Sequence, residues 1–381
     1  MAGEHWKALF HRLGMRTENA LEAVAALTRQ RLHPEVPLHI IAYRGFGARA
    51  SSGWQGSLGG RVLKYRKHRQ THASELWRNL RASYARFDTR EVAGVLVRGR
   101  VGDDTAEAIT DEEGYFTLSF ESMDQPPGAA ELEVHITLPD FTGYRLDGDA
   151  MIVVPGSHAR FGIISDIDDT LLVTRATSLL RMMRLTLLES SATRLAFDGV
   201  AEFYRALHDG RNPFFYVSSS PWNLYEFLTD FMRLNDIVPG PLMLRDFGID
   251  ESKFIAGSHR EHKVAQIRAV MDQYPALPFI LSGDSGQHDP EIYATICAEY
   301  PGRIQAIYIR DVSDHWRRQS VQSLITQLKQ QNVDMLLLPD TIAAAQHAAA
   351  HGFIEQMSAE SVIASVHQAQ TTTRTPGSHT G

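Results

Sequence analysis

Phe161-Gly162-Ile163-Ile164-Ser165-Asp166-Ile167-Asp168-Asp169-Thr170-Leu171 is the stretch from which the rest of the chain can be read. An apolar run, Phe161 to Ile164, stops abruptly at Asp166, Asp168 and Asp169, and the hydroxyl of Thr170 follows. A run bounded in this way predicts a buried strand of a parallel sheet. Open α/β sheets receive their ligands beyond the carboxyl ends of the strands. Like charges crowded at such an end repel one another unless a cation neutralises them. The pattern therefore predicts a magnesium-assisted phosphoryl-transfer centre, whose remaining parts must come from elsewhere in the chain.

Downstream, strands and helices alternate. Strands are predicted over 161–165, 213–218, 240–245, 278–282, 304–309 and 334–338. Helices are predicted near 198–209, 222–235, 261–273, 289–299, 318–331 and 341–350. This alternation predicts an α/β fold with a doubly wound parallel sheet. Upstream, residues 18–32 have helical spacing, which Pro34 and Pro37 end. Residues 37–43 and 61–65 read as strands, Gly45 to Gly60 as a long loop or hairpin, and 71–87 as a helix. Period-two alternation over 92–97, 115–118 and 132–138 then predicts a small antiparallel β domain. Its segment TDEEGYFTLSF (110–120) resembles hairpins of transthyretin-like or carboxypeptidase-regulatory-like sandwiches. The expected division is a helical segment at 1–33, a β-rich domain at 34–157, a catalytic α/β domain at 158–352 and a mostly disordered tail at 353–381.

Composition narrows the function classes. The 381 residues suffice for two domains, with 43% hydrophobic and 22% charged residues, as in soluble globular chains. Cys297 is the single cysteine, so an intrachain disulfide and a cysteine-based metal cluster are both excluded. No run approaches the ~18 apolar residues of a membrane span. Met1 to Arg16 lacks the apolar centre of a secretory signal. A net charge of −7 argues against general nucleic-acid binding. The expected address is cytoplasmic, with peripheral contact to an anionic membrane left open.

Further chemistry-bearing residues follow in order. Phe214-Phe215-Tyr216-Val217-Ser218 is an apolar strand ending in a hydroxyl. Lys263 lies near the start of a predicted helix. Leu281-Ser282-Gly283-Asp284-Ser285-Gly286-Gln287-His288-Asp289 is a strand running into two more carboxylates. The set resembles the haloacid dehalogenase phosphatases from about residue 161 to residue 310. That resemblance implies Asp166 as nucleophile and Asp168 as general acid and base, with Thr170 holding the turn that positions Asp168. Ser218 and Lys263 would bind phosphate oxygens, with Ser219 an alternative hydroxyl. Mg²⁺ would be held by Asp166, the carbonyl of Asp168, Asp284 and Asp289. Other readings stand beside these. Asp166 and Asp168 also suit a loop or helix cap, Asp169 a turn, Lys263 a solvated helix face and Asp289 an N-cap.

A finer resemblance rests on SDIDDTLLVT (165–174), FFYVSSSPWNLYEFL (214–228), LRDFG (244–248), LSGDSGQHDPEIYA (281–294) and IYIRDV (307–312). These strings resemble the family of the fungal actin-patch-associated phosphatidate phosphatase and its bacterial relatives. The resemblance implies magnesium-dependent hydrolysis of phosphatidic acid to diacylglycerol and phosphate through an aspartyl-phosphate. The alternative is a phosphatase for a soluble or macromolecular phosphoester. Arg245 and Arg310, at predicted strand ends, are candidates for reading the substrate headgroup, while Asp246 and Asp311 read as ion-pair partners. Residues 175–194, with Arg175, Arg181, Arg184 and Arg194 among Leu and Met pairs, suit a membrane interface or a cap helix. Arg61 to Arg69 suits an anionic surface or a solvated strand face.

Overall fold

The computed structural model describes residues 37–50, 53–64, 91–122, 131–167, 198–245, 256–312 and 315–374. Among the described residues, ten strands precede the acidic stretch: β1 (Leu38–Ala42), β2 (Gly45–Arg49), β3 (Trp54–Lys64), β4 (Leu96–Val101), β5 (Asp104–Ile109), β6 (Tyr115–Ser122), β7 (Glu131–Glu133), β8 (His135–Thr137), β9 (Tyr144–Gly148) and β10 (Met151–Val153). They form two sheets. The larger runs β7-β10-β2-β3-β1-β9 with β6 also on β3, and the smaller runs β5-β4-β8. Alternation builds one core between them. Leu38, Ile40, Leu58, Leu118 and Phe120 come from the larger sheet, and Val97, Val101 and Ile136 from the smaller. The glycine-rich stretch is the β2–β3 hairpin. A Cβ at Gly60 would lie 2.3 Å from the Phe116 ring, so the close approach of β3 and β6 requires glycine there.

Two expectations for this unit are corrected. The larger sheet is mixed, because β9 runs parallel to β1 and β10 parallel to β2. The run 132–138 is two strands, since β7 pairs with β10 in one sheet and β8 with β4 in the other. Val134, between them, donates its N–H to the Ala150 carbonyl at 2.7 Å as the chain crosses over. Continuous alternation hides such a crossing, because both sheets want the same face inward.

The second unit contains β11 (Gly162–Asp166), β12 (Phe214–Pro221), β13 (Leu242–Arg245), β14 (Phe279–Asp284), β15 (Ile304–Arg310) and β16 (Asp334–Leu338). All pairs are parallel, in the order β13-β12-β11-β14-β15-β16. Its helices are α1 (Val200–His208), α2 (Tyr225–Leu234), α3 (Ala256–Gln273), α4 (Asp289–Glu299), α5 (His315–Lys329), α6 (Thr341–Ala350) and α7 (Gln356–Arg374). Successive strand residues point to opposite faces. Ile163, Phe214, Tyr216, Ile280 and Tyr308 pack with α1, α2, α6 and α7. Ile164, Phe215, Val217, Leu281, Ile307 and Ile309 pack with α3, α4 and α5. Both faces are covered, which is why the strands read as unbroken apolar runs.

Helix α7 stands where a disordered tail is expected. Ala359, Val362 and Val366, at helical spacing, are buried, and Gly199 at the start of α1 leaves the space that Val366 fills. A thin apolar stripe in a polar segment suffices once α1 and α6 offer a surface for it.

The two units are in contact. Phe46 meets the Phe215 ring edge-on at 5.8 Å, and Tyr43 stacks on Trp222 at 4.5 Å. Tyr274 donates its hydroxyl to the Gly47 carbonyl at 2.9 Å. Arg61 is buried under this junction. It donates to the Glu113 carbonyl, to Asn223 and to Glu91, and lies over the Tyr115 ring. It is therefore a structural cation rather than an anionic-surface contact, while residues 65–69 lie outside the described residues. Among the described residues, no helix is long and apolar enough to cross a membrane.

Candidate active site

Register brings the chemistry together. Asp166, the last residue of β11, is paired with Val217 on β12, and Ser165 with Ser282 on β14. Ser218 thus follows directly on one side, and Asp284 ends the strand on the other. Strand order reverses between β11 and β14, the place where open α/β sheets form their ligand crevice.

Asp166, Lys263, Asp284 and Asp289 are all buried. Lys263 reaches in from α3 and donates through Nζ to Asp166 Oδ1 at 2.7 Å, Asp289 Oδ1 at 3.1 Å and Gln287 Oε1 at 3.2 Å. Asp289 Oδ2 accepts the Asp284 N–H at 3.2 Å. Asp284 Oδ1 accepts the N–H groups of Gly286 at 2.6 Å and Gln287 at 3.2 Å, closing a tight turn of the kind Asp favours. Asp289 is the first residue of α4, with His288 at the N-cap position, and its carboxylate belongs to the cluster. Lys263 is likewise buried among acids instead of lying on a solvated face.

A hydroxyl chain supports Asp166 from below. Ser165 Oγ donates to the Asp166 carbonyl at 2.9 Å, so Tyr204 must be the donor in its 2.7 Å contact with Ser165. Ser282 lies 3.1 Å from the Tyr204 hydroxyl, and Tyr293 donates to the Ser282 carbonyl at 2.7 Å. Burial pushes the Tyr204 phenol above its usual range, and the nearby Asp166 charge adds to this against the hydrogen bonds to Ser165 and Ser282. Tyr293 is pushed up more strongly, first by burial and then by the charges of Asp289 and Asp166. Both phenols remain proton donors at neutral pH.

The 285–288 loop is held from outside the cluster. Arg317 on α5 donates to the carbonyls of Ser285 at 2.9 Å and Gln287 at 2.5 Å, and also pairs with Glu291 on α4. Ser285 Oγ accepts the Val312 N–H at 3.0 Å.

Of the residues expected from sequence, Asp166, Lys263, Asp284 and Asp289 converge. Ser218, fully buried, ends the apolar part of β12 beside Asp166 and accepts the Ser220 N–H at 2.9 Å, while Ser219 is half-buried. Arg310 shares a cleft with Asp166 and Asp284. Arg245 sits opposite Pro221 on β13, two strands from Asp166. Asp311 pairs with Arg318 at 2.5 Å. Asp168, Asp169, Thr170, residues 175–194 and Asp246 lie outside the described residues. Sequence reading missed Gln287, Tyr204, Ser282, Tyr293 and Arg317. Tyr293 follows Asp289 by one helical turn, a spacing that could have shown it; Arg317 carried no such signal.

Asp166, Asp284 and Asp289 can each offer a carboxylate oxygen, all within 4.8 Å of one another. Among the described residues, three buried carboxylates gather with the Lys263 ammonium, and an all-oxygen set of this charge suits a hard divalent cation. The donor chemistry therefore fits a metal ion of that kind.

Residues 161–311 match the family described as phosphatidate phosphatase APP1, catalytic domain. Phosphatidate phosphatase APP1 of Saccharomyces cerevisiae is 37% identical over 154 residues, 40% of this chain and 26% of that protein. The uncharacterized protein C29B5.04c of Schizosaccharomyces pombe is 34% identical over 155 residues, 39% of this chain and 25% of that protein. The match thus spans about a quarter of the length of these relatives. A carbohydrate esterase structure aligns at 10% identity over 78% of this chain and 98% of that one, with a TM-score of 0.21, too low to carry an argument.

Proposed function

We infer, from the match of residues 161–311 to the APP1 catalytic-domain family, that this chain is a phosphatidate phosphatase releasing diacylglycerol and phosphate. We assign the parallel unit to the haloacid dehalogenase-like architecture. The observation that carries the reading is the buried bond from Lys263 to Asp166 at the switch point of the sheet, with Asp284 and Asp289 beside it.

In this reading an Asp166 carboxylate oxygen attacks phosphorus, and the bond from phosphorus to the lipid oxygen breaks. The phosphoryl group is then carried on Asp166. Asp168 delivers a proton to the departing oxygen and takes one from the water that frees phosphate. Lys263 orients the Asp166 carboxylate and offsets its charge, and Ser218 lies where a phosphate oxygen would be received. Arg310, in the same cleft, suits the headgroup. Asp166, Asp284 and Asp289 would hold Mg²⁺, which when bound supplies the charge neutralisation that lets a carboxylate approach a dianionic phosphate. Contact with an anionic membrane surface belongs to the same proposal, since the substrate resides there.

The test is phosphate release from phosphatidic acid in vesicles, compared with sugar phosphates, nucleotides and phosphopeptides, with and without Mg²⁺. Release confined to the lipid and abolished by chelation is the expected result. Turnover of soluble esters alone would transfer the site to the other substrate class.

A further inference from the structure

Away from the acid cluster, at the opposite ends of the strands, two histidines and a carboxylate converge. His347 lies on α6, and His351 follows one turn later as its C-terminal cap. Asp334 opens the edge strand β16. The two imidazole rings stack with centroids 4.0 Å apart and planes 27° from parallel. Nδ1 of His351 lies 2.9 Å from the His347 carbonyl, which can only accept, so that nitrogen carries the proton. Nδ1 of His347 is engaged by the Tyr308 hydroxyl at 3.1 Å. With both Nδ1 atoms occupied, both Nε2 atoms face Asp334 Oδ2, at 3.5 Å and 3.7 Å.

Those separations are long for hydrogen bonds, and His347 Nε2 is buried with no hydrogen-bond partner among the described residues. They suit another geometry. Ligand bonds of ~2.0–2.1 Å at tetrahedral angles place donor atoms ~3.4 Å apart. The three donor atoms lie within 4.8 Å of one another. Holding Nδ1 so that Nε2 is presented is also how imidazole ligands are oriented by their neighbours.

We infer that Asp334, His347 and His351 form a second metal site, selective for a borderline transition-metal ion of the Zn²⁺ class. Two imidazole nitrogens and one carboxylate oxygen favour such an ion over Mg²⁺, which prefers the all-oxygen cluster at the other end of the sheet. Asp334 and His351 are half-exposed, which gives the ion an entry path and a fourth position for water. Bound there, the ion clips edge strand β16 to α6. The site lies beyond residues 161–311, so it does not depend on the phosphatase reading.

The test uses the untagged full chain, stripped with chelator and kept in excess Mg²⁺, titrated with Zn²⁺ by calorimetry. Thermal unfolding is followed in parallel. One saturable equivalent is expected that raises the melting temperature and persists in Asp284→Asn. His351→Gln and Asp334→Asn, both at half-exposed positions, should remove the saturable binding and the thermal shift while leaving the circular dichroism unchanged. Tyr308→Phe should weaken binding about tenfold. Absence of saturable Zn²⁺ binding in the parent chain would overturn the inference, as would binding that survives His351→Gln or disappears in Asp284→Asn.

Discussion

Asp166 shows how much one side chain depends on its neighbours. Its carboxylate is buried and bonded to Lys263, and its carbonyl is held by Ser165. Asp166→Asn preserves shape and removes the carboxylate proposed as nucleophile. Turnover should fall to the no-enzyme rate while the circular dichroism spectrum and melting temperature stay close to those of the parent. Lys263→Met is a different kind of change. It leaves Asp166 and Asp289 buried without their ammonium, with Asp284 beside them, and breaking a buried pair from one side costs about 3–5 kcal/mol. Denaturant unfolding should show that loss, partly restored by millimolar Mg²⁺ if the acids bind the ion as proposed. Asp166, Lys263 and Asp284 were legible because strand-end acids and a lysine stand in an ordered series. Tyr204 and Ser282 were not, because a hydroxyl beneath a buried strand-end acid has no motif of its own and becomes visible only once β11, β14 and α1 are packed.

The elements themselves were largely readable. The strands of the parallel sheet lie within a few residues of the apolar runs, since burial on both faces demands continuous apolarity. The 285–288 loop depends on a partner distant in sequence, Arg317, which joins it to Glu291. Arg317→Met should lower kcat by about tenfold to a hundredfold through misplacement of Asp284 and Asp289, with a smaller change in stability. Glu291 adds a pH signature. Burial pushes its carboxyl up, but the Arg317 guanidinium outweighs this and holds it below the ordinary value of 4.5. A depressed folded pKa contributes stability that is present above the unfolded value and lost as pH falls through the folded one. Melting temperature should therefore decline more steeply below about pH 4.3 in the parent chain than in Glu291→Gln. Equal slopes would show that the ion pair does not support the loop.

At the scale of the whole molecule, the β unit is packed against the α/β unit through Phe46, which meets Phe215 and Tyr274. Phe46→Ala should destabilise the chain by about 3–5 kcal/mol, read from denaturant unfolding, because it empties a site in the core of the α/β unit. Periodicity predicted the α/β class of the second unit and the β-rich character of the first, and ordered strand-end motifs singled out the acids of the candidate site. Those features are local, since each follows from which side chains a short segment must bury or present. The crossing at Val134, the parallel pairs β1–β9 and β2–β10, the anchoring of α7 and the meeting of Asp334 with two histidines arose from packing. They depend on which surfaces distant segments offer one another, and a pattern confined to a few neighbouring residues does not encode that.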